Sequence, residues 1–239
     1  MLLKGKTAFI TGGSSGIGEA TAMLFAKEGA KVAIAARGIP AAQKVVDKIS
    51  ALGGTAMVAS CDVTNMESVN SAALKVINEW GNIDILINSA GVAFMKTLIE
   101  TSSDEWDLFM NTNVKSVFHT GKAIIPHMIE QGKGGIIVNV ASSMGLVGSV
   151  KYSAYCATKG AIINLTRAMA LDLAPYNIRV NCLCSGPVDT PMLMAEFLPN
   201  EEGKNAFKAL EDAHPLKRIS RPKNKQARYC FYQQRHLLI

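Results

Sequence analysis

The 239-residue sequence lacks the features of several protein classes. No apolar run approaches the ~18 residues of a transmembrane helix, and the amino terminus enters a strand-like segment without a signal-peptide core. The five cysteines lie in apolar surroundings without Cys-x-x-Cys spacing, which indicates buried free thiols in a reducing compartment. The four histidines show no metal-ligand spacing, so no metal site is predicted. We therefore expect a cytoplasmic protein with no membrane partner.

Acidic residues are missing from the carboxyl-terminal part of the chain. From Lys217 onward there are seven basic residues and no acidic one, whereas residues 1–216 contain 18 basic and 19 acidic residues. The net charge of +6 therefore comes from the short segment 217–239 at the carboxyl terminus. A nucleic-acid binder could use this tail, with Tyr229, Phe231 and Tyr232 as stacking groups, but the near-neutral body offers no supporting basic surface. We expect no nucleic-acid partner.

Apolar runs rich in β-branched residues alternate with segments of helical period along the chain. This alternation indicates βαβ units and a parallel sheet with helices on both faces. The predicted strands are 7–10, 31–36, 55–60, 83–88, 136–140 and 179–183, and the predicted helices are 19–27, 41–51, 66–79, 104–130 and 153–173. Since 49% of the residues are hydrophobic and no repeat or low-complexity linker interrupts the pattern, one α/β domain is expected.

A glycine-rich loop, residues 11–18, follows the first predicted strand and opens the first predicted helix. Gly12, Gly16 and Gly18 permit a tight turn, close approach of a pyrophosphate to the backbone and close packing of the helix. The helix N-terminus attracts the anion. The spacing is G-x-x-x-G-x-G and not G-x-G-x-x-G, and such a cluster alone also suits a plain turn. Its place between a strand and a helix favours a dinucleotide site.

Two charged residues bear on which dinucleotide is bound. Arg37 follows the second predicted strand, where an acidic residue would bind a ribose 2′-hydroxyl and an arginine accommodates a 2′-phosphate. This predicts NADP in preference to NAD, and the alternative is that Arg37 is a solvated surface cation. Asp62 follows the third predicted strand. It either accepts a hydrogen bond from the adenine amino group or, with Thr64, caps the next helix.

Tyr155, Lys159 and Ser142 indicate acid–base chemistry. Tyr155 and Lys159 are four residues apart in a predicted helix, so both project from one face. An ammonium beside a phenol favours the phenolate and lowers its pKa from about 10 toward the operating pH. Ser142 lies at the end of the fifth predicted strand, where the carboxyl edge of a parallel sheet faces the ligand crevice.

Over residues about 4–216 the sequence resembles the short-chain dehydrogenase/reductase family. The matching motifs follow in order: the glycine loop, Asp62, Asn88-Ser89-Ala90-Gly91, Asn113, Ser142, Tyr155, Lys159 and Ser185-Gly186-Pro187-Val188-Asp189-Thr190. The resemblance implies a single-domain, doubly wound (Rossmann) parallel sheet. It also implies hydride transfer between NADP, or NAD, and a carbonyl or secondary alcohol, without a metal.

The resemblance implies a role for each matching residue. Tyr155 is the general acid/base, Ser142 hydrogen-bonds the substrate oxygen, Lys159 binds the nicotinamide ribose and lowers the tyrosine pKa, Asn113 holds a water in a proton relay, and Asn88 supports the central strands. The implied cofactor contacts are Gly12, Ser14, Ser15, Gly16, Ile17, Gly18, Arg37, Asp62, Val63, Asn88, Ala90, Gly91, Tyr155, Lys159, Val188 and Thr190.

Alternatives remain for the function. A 3-oxoacyl-acyl-carrier-protein reductase would use basic residues near the site mouth, and Lys133 suits one such place. Tyr176 stands where a second cation is expected, which favours a small alcohol, sugar alcohol or ketone as substrate. A catalytically silent dinucleotide sensor is the alternative from another class, although it would need none of the four candidate catalytic residues.

The carboxyl-terminal part departs from the family. Ser89 and Ser185 replace a more frequent Asn and Pro, which are small changes. After Pro222 the family continues with a helix and a final strand that commonly builds a subunit interface, whereas this chain has a basic tail, residues 223–239. We expect a domain over 1–222 with a lid at about 188–216 and a final strand that is absent or altered by a frameshift. A homo-oligomer is expected, with an interface that the atypical terminus perturbs.

Overall fold

The computed structural model describes residues 1–197 and 199–222, in which six parallel strands form one sheet. The strands are β1 (Thr7–Thr11), β2 (Lys31–Ala36), β3 (Thr55–Ser60), β4 (Ile85–Asn88), β5 (Gly135–Ser142) and β6 (Ile178–Ser185). Their order is β3-β2-β1-β4-β5-β6. The chain reverses its direction of winding between β1 and β4, which creates a ligand crevice at the carboxyl ends of these strands. The predicted doubly wound fold is confirmed.

Helices connect the strands and cover both faces of the sheet. They are α1 (Gly16–Lys27), α2 (Ile39–Ala51), α3 (Met66–Trp80), α4 (Ser103–Phe109), α5 (Ser116–Glu130), α6 (Ser153–Leu173), α7 (Pro191–Met194) and α8 (Glu201–Asp212). The single helix predicted over 104–130 is wrong in its first half, because Met110–Lys115 forms a π-helical segment between α4 and α5. Apolar periodicity does not distinguish one widened turn from the α-helix around it.

The core consists of two apolar layers, one on each face of the sheet. Phe9 and Ile10 are neighbours on β1 and therefore point to opposite faces. Ile10 packs with Phe25 of α1 and Ile49 of α2, whereas Phe9 packs with α3 and with Ile124 of α5. Each of these five side chains is at most 1% exposed. This two-sided burial explains the continuous apolar runs in the sequence, and truncating either buried phenylalanine to alanine should cost about 3–5 kcal/mol.

The segment after β6 leaves the sheet and returns to it. Val188 and Ser220 form an isolated parallel bridge, in which the Asp189 N–H donates to the Ser220 carbonyl over 2.8 Å. Helices α7 and α8 lie between these two contact points. The segment 188–216 is therefore an excursion that is closed at its base, and its function as a lid stays a prediction. The tail 223–239, with the predicted loss of the final strand and the frameshift hypothesis, lies outside the described residues.

Two further expectations concern cysteine and membranes. Cys61 is buried, but Cys156, Cys182 and Cys184 are only partly buried, so the expectation that all are buried was wrong for these three. Cys182 and Cys184 of β6 pack at the edge of the core, where apolar sequence context persists although burial is incomplete. None of the helices within the described part of the chain is long and apolar enough to cross a membrane.

Candidate active site

The glycine loop packs against the turn that follows β4. A β-carbon on Gly12, whose φ is +65°, would lie 2.9 Å from the backbone nitrogen of Ala90, and one on Gly18 would lie 2.2 Å from the Gly12 carbonyl oxygen. The Thr11 hydroxyl accepts hydrogen bonds from the N–H groups of Ser89 and Ala90 at 3.1 and 3.2 Å. Glycine is therefore required at Gly12 and Gly18, because any side chain would displace backbone from backbone.

The N-terminus of α1 is open toward the space beside this loop. Ser15 is the N-cap residue, and its side chain makes no capping hydrogen bond. The first backbone N–H groups of α1, on Gly16, Ile17 and Gly18, precede the intrahelical hydrogen-bond ladder and coincide with the positive end of the helix dipole. Such an end binds phosphate groups readily. Ser14 is half-buried within the loop.

A cleft at the carboxyl edge of the sheet gathers most of the predicted residues. Its wall contains Gly12, Ser15, Gly16, Ile17, Gly18, Ala90, Gly91, Tyr155, Lys159 and Thr190. It also contains residues that we did not assign to the site: Ser89, Val92, Val140, Ala141, Ser185, Pro191 and Met192. These residues stand next to predicted motif residues in the sequence. The extension of β5 and β6 to Ser142 and Ser185 brings the strand ends to this edge.

Arg37 and Asp62 lie beside each other at the neighbouring strand ends. Arg37 is exposed, and it is among the groups that lower the pKa of Asp62, after the hydrogen bonds from the Thr64 backbone and hydroxyl. Asp62 Oδ1 accepts both of these bonds, at 3.0 and 2.8 Å. The alternative that Asp62 and Thr64 cap the next helix is wrong, because Asn65 is the N-cap residue of α3 and accepts from the Ser68 N–H.

Asn88 belongs to a buried polar network and does not line the cleft. Its Nδ2 donates to Asn139 over 2.8 Å, and its Oδ1 accepts from the Thr120 hydroxyl, also over 2.8 Å. Asn139 donates in turn to Thr166 of α6 over 2.9 Å. This network joins β4 and β5 to helices on both sides. The geometry therefore fits the supporting role that the resemblance implies, and a direct contact of Asn88 with the cofactor stays a prediction.

Val63 and Val188 also differ from simple cleft residues. The Val63 side chain is buried in the core, and its carbonyl lies 2.9 Å from His119 Nδ1, so the side chain faces away from the cleft. Val188 is 5% exposed and its backbone is tied to Ser220. Thr190 does reach the cleft. It caps α7, and its methyl group would contact a β-carbon on Gly16 at 3.2 Å.

Asn113 lies in the π-helical segment and ties three parts of the site together. Its Oδ1 accepts from the Val92 N–H over 2.8 Å, and its Nδ2 donates to the Val92 carbonyl over 3.0 Å and to the Thr158 hydroxyl over 3.1 Å. Asn113 is 1% exposed. The widened turn thus holds the loop after β4 against α6 at Thr158, which adjoins Lys159 and lies three residues after Tyr155. This agrees with the frequent placement of π turns at functional sites.

The Tyr155 ring lies beside the Lys159 ammonium. Lys159 Nζ is 5.4 Å from the ring centroid and donates to the Val140 carbonyl over 2.9 Å. Burial raises the pKa of Tyr155 to about 12, and the nearby Ser142 hydroxyl lowers this pKa by less. Burial also lowers the pKa of Lys159 to about 8. The predicted lowering of the tyrosine pKa by Lys159 is therefore not observed, because desolvation disfavours both charged forms.

Aromatic and acidic side chains that we did not predict surround Tyr155. Its ring centroid lies 6.4 Å from that of Phe109 and 6.1 Å from that of Tyr152. The Tyr152 hydroxyl donates to Glu196 over 2.5 Å. The sequence signal for Tyr152 is its position three residues before Tyr155, at the start of α6. No signal indicates Glu196, since the long segment after β6 has to fold back before the two residues meet.

Lys133 and Tyr176 lie at the opposite end of the sheet. Lys133 lies two residues before β5 and Tyr176 two residues before β6, so both are at the amino ends of parallel strands. Lys133 lines a different cavity, together with Lys6 and Arg179. The expectation that Lys133 is near the mouth of the catalytic site is wrong, and its reason is topological: in a parallel sheet the residues before strands and those after strands occupy opposite edges.

The chain matches the model of the family described as short chain dehydrogenase over residues 6–201. It belongs to that family. It is 36% identical over 222 residues to 3-oxoacyl-(acyl-carrier-protein) reductase FabG of Thermotoga maritima. This alignment covers 93% of this chain and 87% of the relative. It is 38% identical over 189 residues to sorbitol dehydrogenase of Cereibacter sphaeroides. This alignment covers 79% of this chain and 73% of the relative.

A solved structure agrees with this assignment. The crystal structure of a short-chain type dehydrogenase/reductase from Mycobacterium marinum matches with a TM-score of 0.89 at 36% identity, and the match covers 97% of this chain and 89% of that chain. The chain is therefore an oxidoreductase of the short-chain dehydrogenase family, whose members use NAD(P)H and act on small molecules. The predicted family is confirmed. Its two named relatives differ in substrate, so membership alone does not fix the substrate.

Proposed function

We propose that this chain transfers a hydride between NADP(H), in preference to NAD(H), and a small ketone or secondary alcohol, with Tyr155 as general acid/base. One observation carries the proposal. Tyr155 and Lys159 line the same cleft as the glycine loop and the open N-terminus of α1. A group that can give or take a proton thus lies beside a site suited to a pyrophosphate.

The residues present fit a dinucleotide. The N–H groups at the start of α1 would bind the pyrophosphate. Gly12 and Gly18 allow the tight loop that brings the backbone close to the pyrophosphate, because a β-carbon on either residue would clash with neighbouring backbone atoms. The exposed Arg37 would hold the 2′-phosphate, and Asp62 would accept from the adenine amino group. Lys159 would hold the ribose of the nicotinamide. When bound, the nicotinamide supplies or accepts the hydride.

Tyr155 is suited to donate a proton in the direction of carbonyl reduction. Because burial raises its pKa to about 12, its hydroxyl is protonated at neutral pH. In this proposal the hydroxyl donates to the substrate oxygen while Ser142 holds that oxygen by a second hydrogen bond. Asn113 would position a water that returns a proton to Tyr155 through Lys159. In the oxidation direction Tyr155 has to lose its proton first, so that direction should be favoured by alkaline solution.

The position of Lys133 separates two substrate classes. Its place at the amino edge of the sheet removes the one basic residue that we had expected near the mouth of the site for an acidic carrier protein. The similarity to an acyl-carrier-protein reductase keeps that activity as the second candidate. The purified protein should be assayed for nicotinamide absorbance with small ketones, sugar alcohols and 3-oxoacyl thioesters, each with both cofactors. Faster turnover of the thioesters than of every small carbonyl would reverse our choice.

We also propose that the chain forms a homo-oligomer through α5 and α6. These two helices form an apolar groove lined by Phe118, Ile125, Leu165 and Met169. Phe118 is 56% exposed in the single chain. An apolar surface of this kind is typical of a protein interface, and a second copy of the chain would cover it.

A further inference from the structure

Apolar and acidic side chains lie around the Tyr155 ring. The ring centroids of Phe94 and Phe109 are 4.4 Å apart, and the buried Phe109 packs near the Tyr155 ring. Tyr152 is the second aromatic neighbour of Tyr155, and its hydroxyl is bonded to Glu196. A polar pair that carries a carboxylate therefore lies next to the residue that a substrate oxygen has to reach.

Glu196 is held at this place by Tyr152. Glu196 follows α7 and is half-buried, and its Oε2 accepts a hydrogen bond from the Tyr152 hydroxyl over 2.5 Å. Within residues 1–197 and 199–222 no basic side chain lies within ion-pair distance of it. The single O–H donor of Tyr152 is already used in its bond to Glu196. The groups of this pair that remain free for a substrate are therefore acceptors: the hydroxyl oxygen of Tyr152 and Oε1 of Glu196.

The Glu196 charge is close enough to act on the reaction site. It raises the pKa of the Tyr155 hydroxyl, after the larger effect of burial. A charge acts on its neighbours far more strongly in a half-buried site than in bulk water. The same field therefore acts on any charge that a substrate brings next to Tyr155.

We propose that Glu196, positioned by Tyr152, determines substrate specificity: it selects neutral substrates that carry a hydroxyl beside the reacting carbonyl and excludes those that carry a carboxylate there. A hydroxyl can donate to the Glu196 carboxylate, and such a charge-assisted bond is stronger than one between neutral groups. A substrate carboxylate offers no donor and is repelled. This inference rests on the proposed function and names the substrate class of that site.

Two matched pairs of substrates separate the hydroxyl effect from the charge effect. Hydroxyacetone and 2-butanone differ by a hydroxyl in place of a methyl group, whereas ethyl acetoacetate and acetoacetate differ by the loss of the ester and the gain of one negative charge. The parent protein should show higher kcat/KM for hydroxyacetone and for the ester. In Glu196→Gln, which keeps the shape and an acceptor oxygen for Tyr152, the ester-to-acid ratio should fall about 10-fold and the hydroxyl preference severalfold.

Two further variants show whether the effect is specific. Glu202→Gln makes the same change at an exposed position of α8 and should alter neither ratio. Tyr152→Phe keeps the ring and the Glu196 charge but releases the carboxylate. It should therefore lower the hydroxyl preference while the ester-to-acid ratio stays well above that of Glu196→Gln. All variants should keep the thermal midpoint of the parent within a few degrees, which distinguishes selection of substrates from damage to the fold.

The possible outcomes distinguish this inference from the proposed function. Turnover with unchanged ratios in Glu196→Gln would overturn the role of Glu196 and leave the proposed function standing. If the parent binds the dinucleotide but turns over none of the four compounds, this inference is overturned, whereas the proposed function is decided by the wider assay with sugar alcohols, other ketones and 3-oxoacyl thioesters. A fall of both ratios in Glu196→Gln, with Glu202→Gln equal to the parent, is the result that the structure predicts.

Discussion

The two walls of the cleft are built differently. The wall formed by β1, α1 and the turn after β4 is fixed by backbone contacts, such as the bonds from Ser89 and Ala90 to Thr11 and the close approach of Gly12 to Ala90. The wall formed by the segment after β6 is held at its base by Asp189 and Ser220, and near Tyr155 by the contact between the side chains of Tyr152 and Glu196.

This difference separates two functions. Backbone geometry is shared by every sequence that keeps the required glycines, which suits a site for a common cofactor. Side-chain contacts change with single substitutions, which suits a site that distinguishes substrates. We therefore expect changes in the first wall to abolish dinucleotide binding, and changes in the second to alter which substrate is used.

The largest effect is expected from Gly18→Val in the backbone-built wall. A β-carbon at this position would lie 2.2 Å from the Gly12 carbonyl oxygen, so the loop has to move. Strain of about 3 kcal/mol corresponds to a loss of roughly 150-fold in dinucleotide affinity, measured by titration. Gly148→Ala is the control, because a β-carbon there meets open space. Parent-like affinity in Gly18→Val would show that the loop does not shape the site.

Arg37→Asp should reverse the cofactor preference. The substitution replaces a partner of the 2′-phosphate with a group that repels it and can accept from a 2′-hydroxyl. A charge-assisted contact contributes about 1.5–3 kcal/mol, or roughly 10- to 150-fold in NADPH affinity. Lys27→Asp, an equal change of charge at the far end of α1, should leave the preference unaltered. Equal NADPH affinity in Arg37→Asp and the parent would identify Arg37 as a plain surface cation.

Carbonyl reduction should slow as the pH rises through about 8. The pKa of Lys159 is lowered to about 8, so its ammonium loses its charge above that pH, whereas Tyr155, with a pKa of about 12, stays protonated. The rate should fall by up to about 10-fold for each further pH unit. Lys159→Arg keeps its charge to much higher pH and should move this decline upward. An unshifted pH profile in active Lys159→Arg would count against a role of the Lys159 charge.

The same pKa values predict how stability changes with pH. Between about pH 8 and the ordinary lysine pKa, the unfolded chain binds a proton that folded Lys159 has lost, so stability should rise with pH. Above the ordinary tyrosine pKa, Tyr155 holds its proton longer in the folded chain, so its contribution falls with pH. Replacing Lys159 with methionine should remove the first trend in chemical denaturation at several pH values, and a persistent trend would assign it to other groups.

The smallest effect on the cleft is expected from Phe118→Asp, which lies on neither wall. A charge in the apolar groove of α5 and α6 should shift sedimentation toward the monomer while dinucleotide affinity changes little. Phe118→Leu keeps the groove apolar and should retain the assembly. Unchanged sedimentation of Phe118→Asp would remove this groove from the proposed interface.

The strands and the glycine loop could be predicted because their signals are local. Continuous apolar runs located β2 and β3 to the residue, and the glycine loop follows directly from its neighbours in the chain. The remaining errors concern three-dimensional relations. The position of Lys133 depends on which edge of the sheet it occupies, the pKa of Tyr155 depends on burial, and the contact between Tyr152 and Glu196 depends on a segment that folds back across the site.

The most direct test of the proposed chemistry is the Tyr155→Phe variant, assayed for both turnover and dinucleotide affinity. The substitution removes the transferable proton and keeps the ring that packs against Phe109 and Lys159. We predict a fall in turnover of about 10²-fold or more with dinucleotide affinity unchanged, and no effect of Tyr176→Phe at the opposite edge of the sheet. Turnover of Tyr155→Phe equal to that of the parent would contradict the assignment of Tyr155 as the general acid/base.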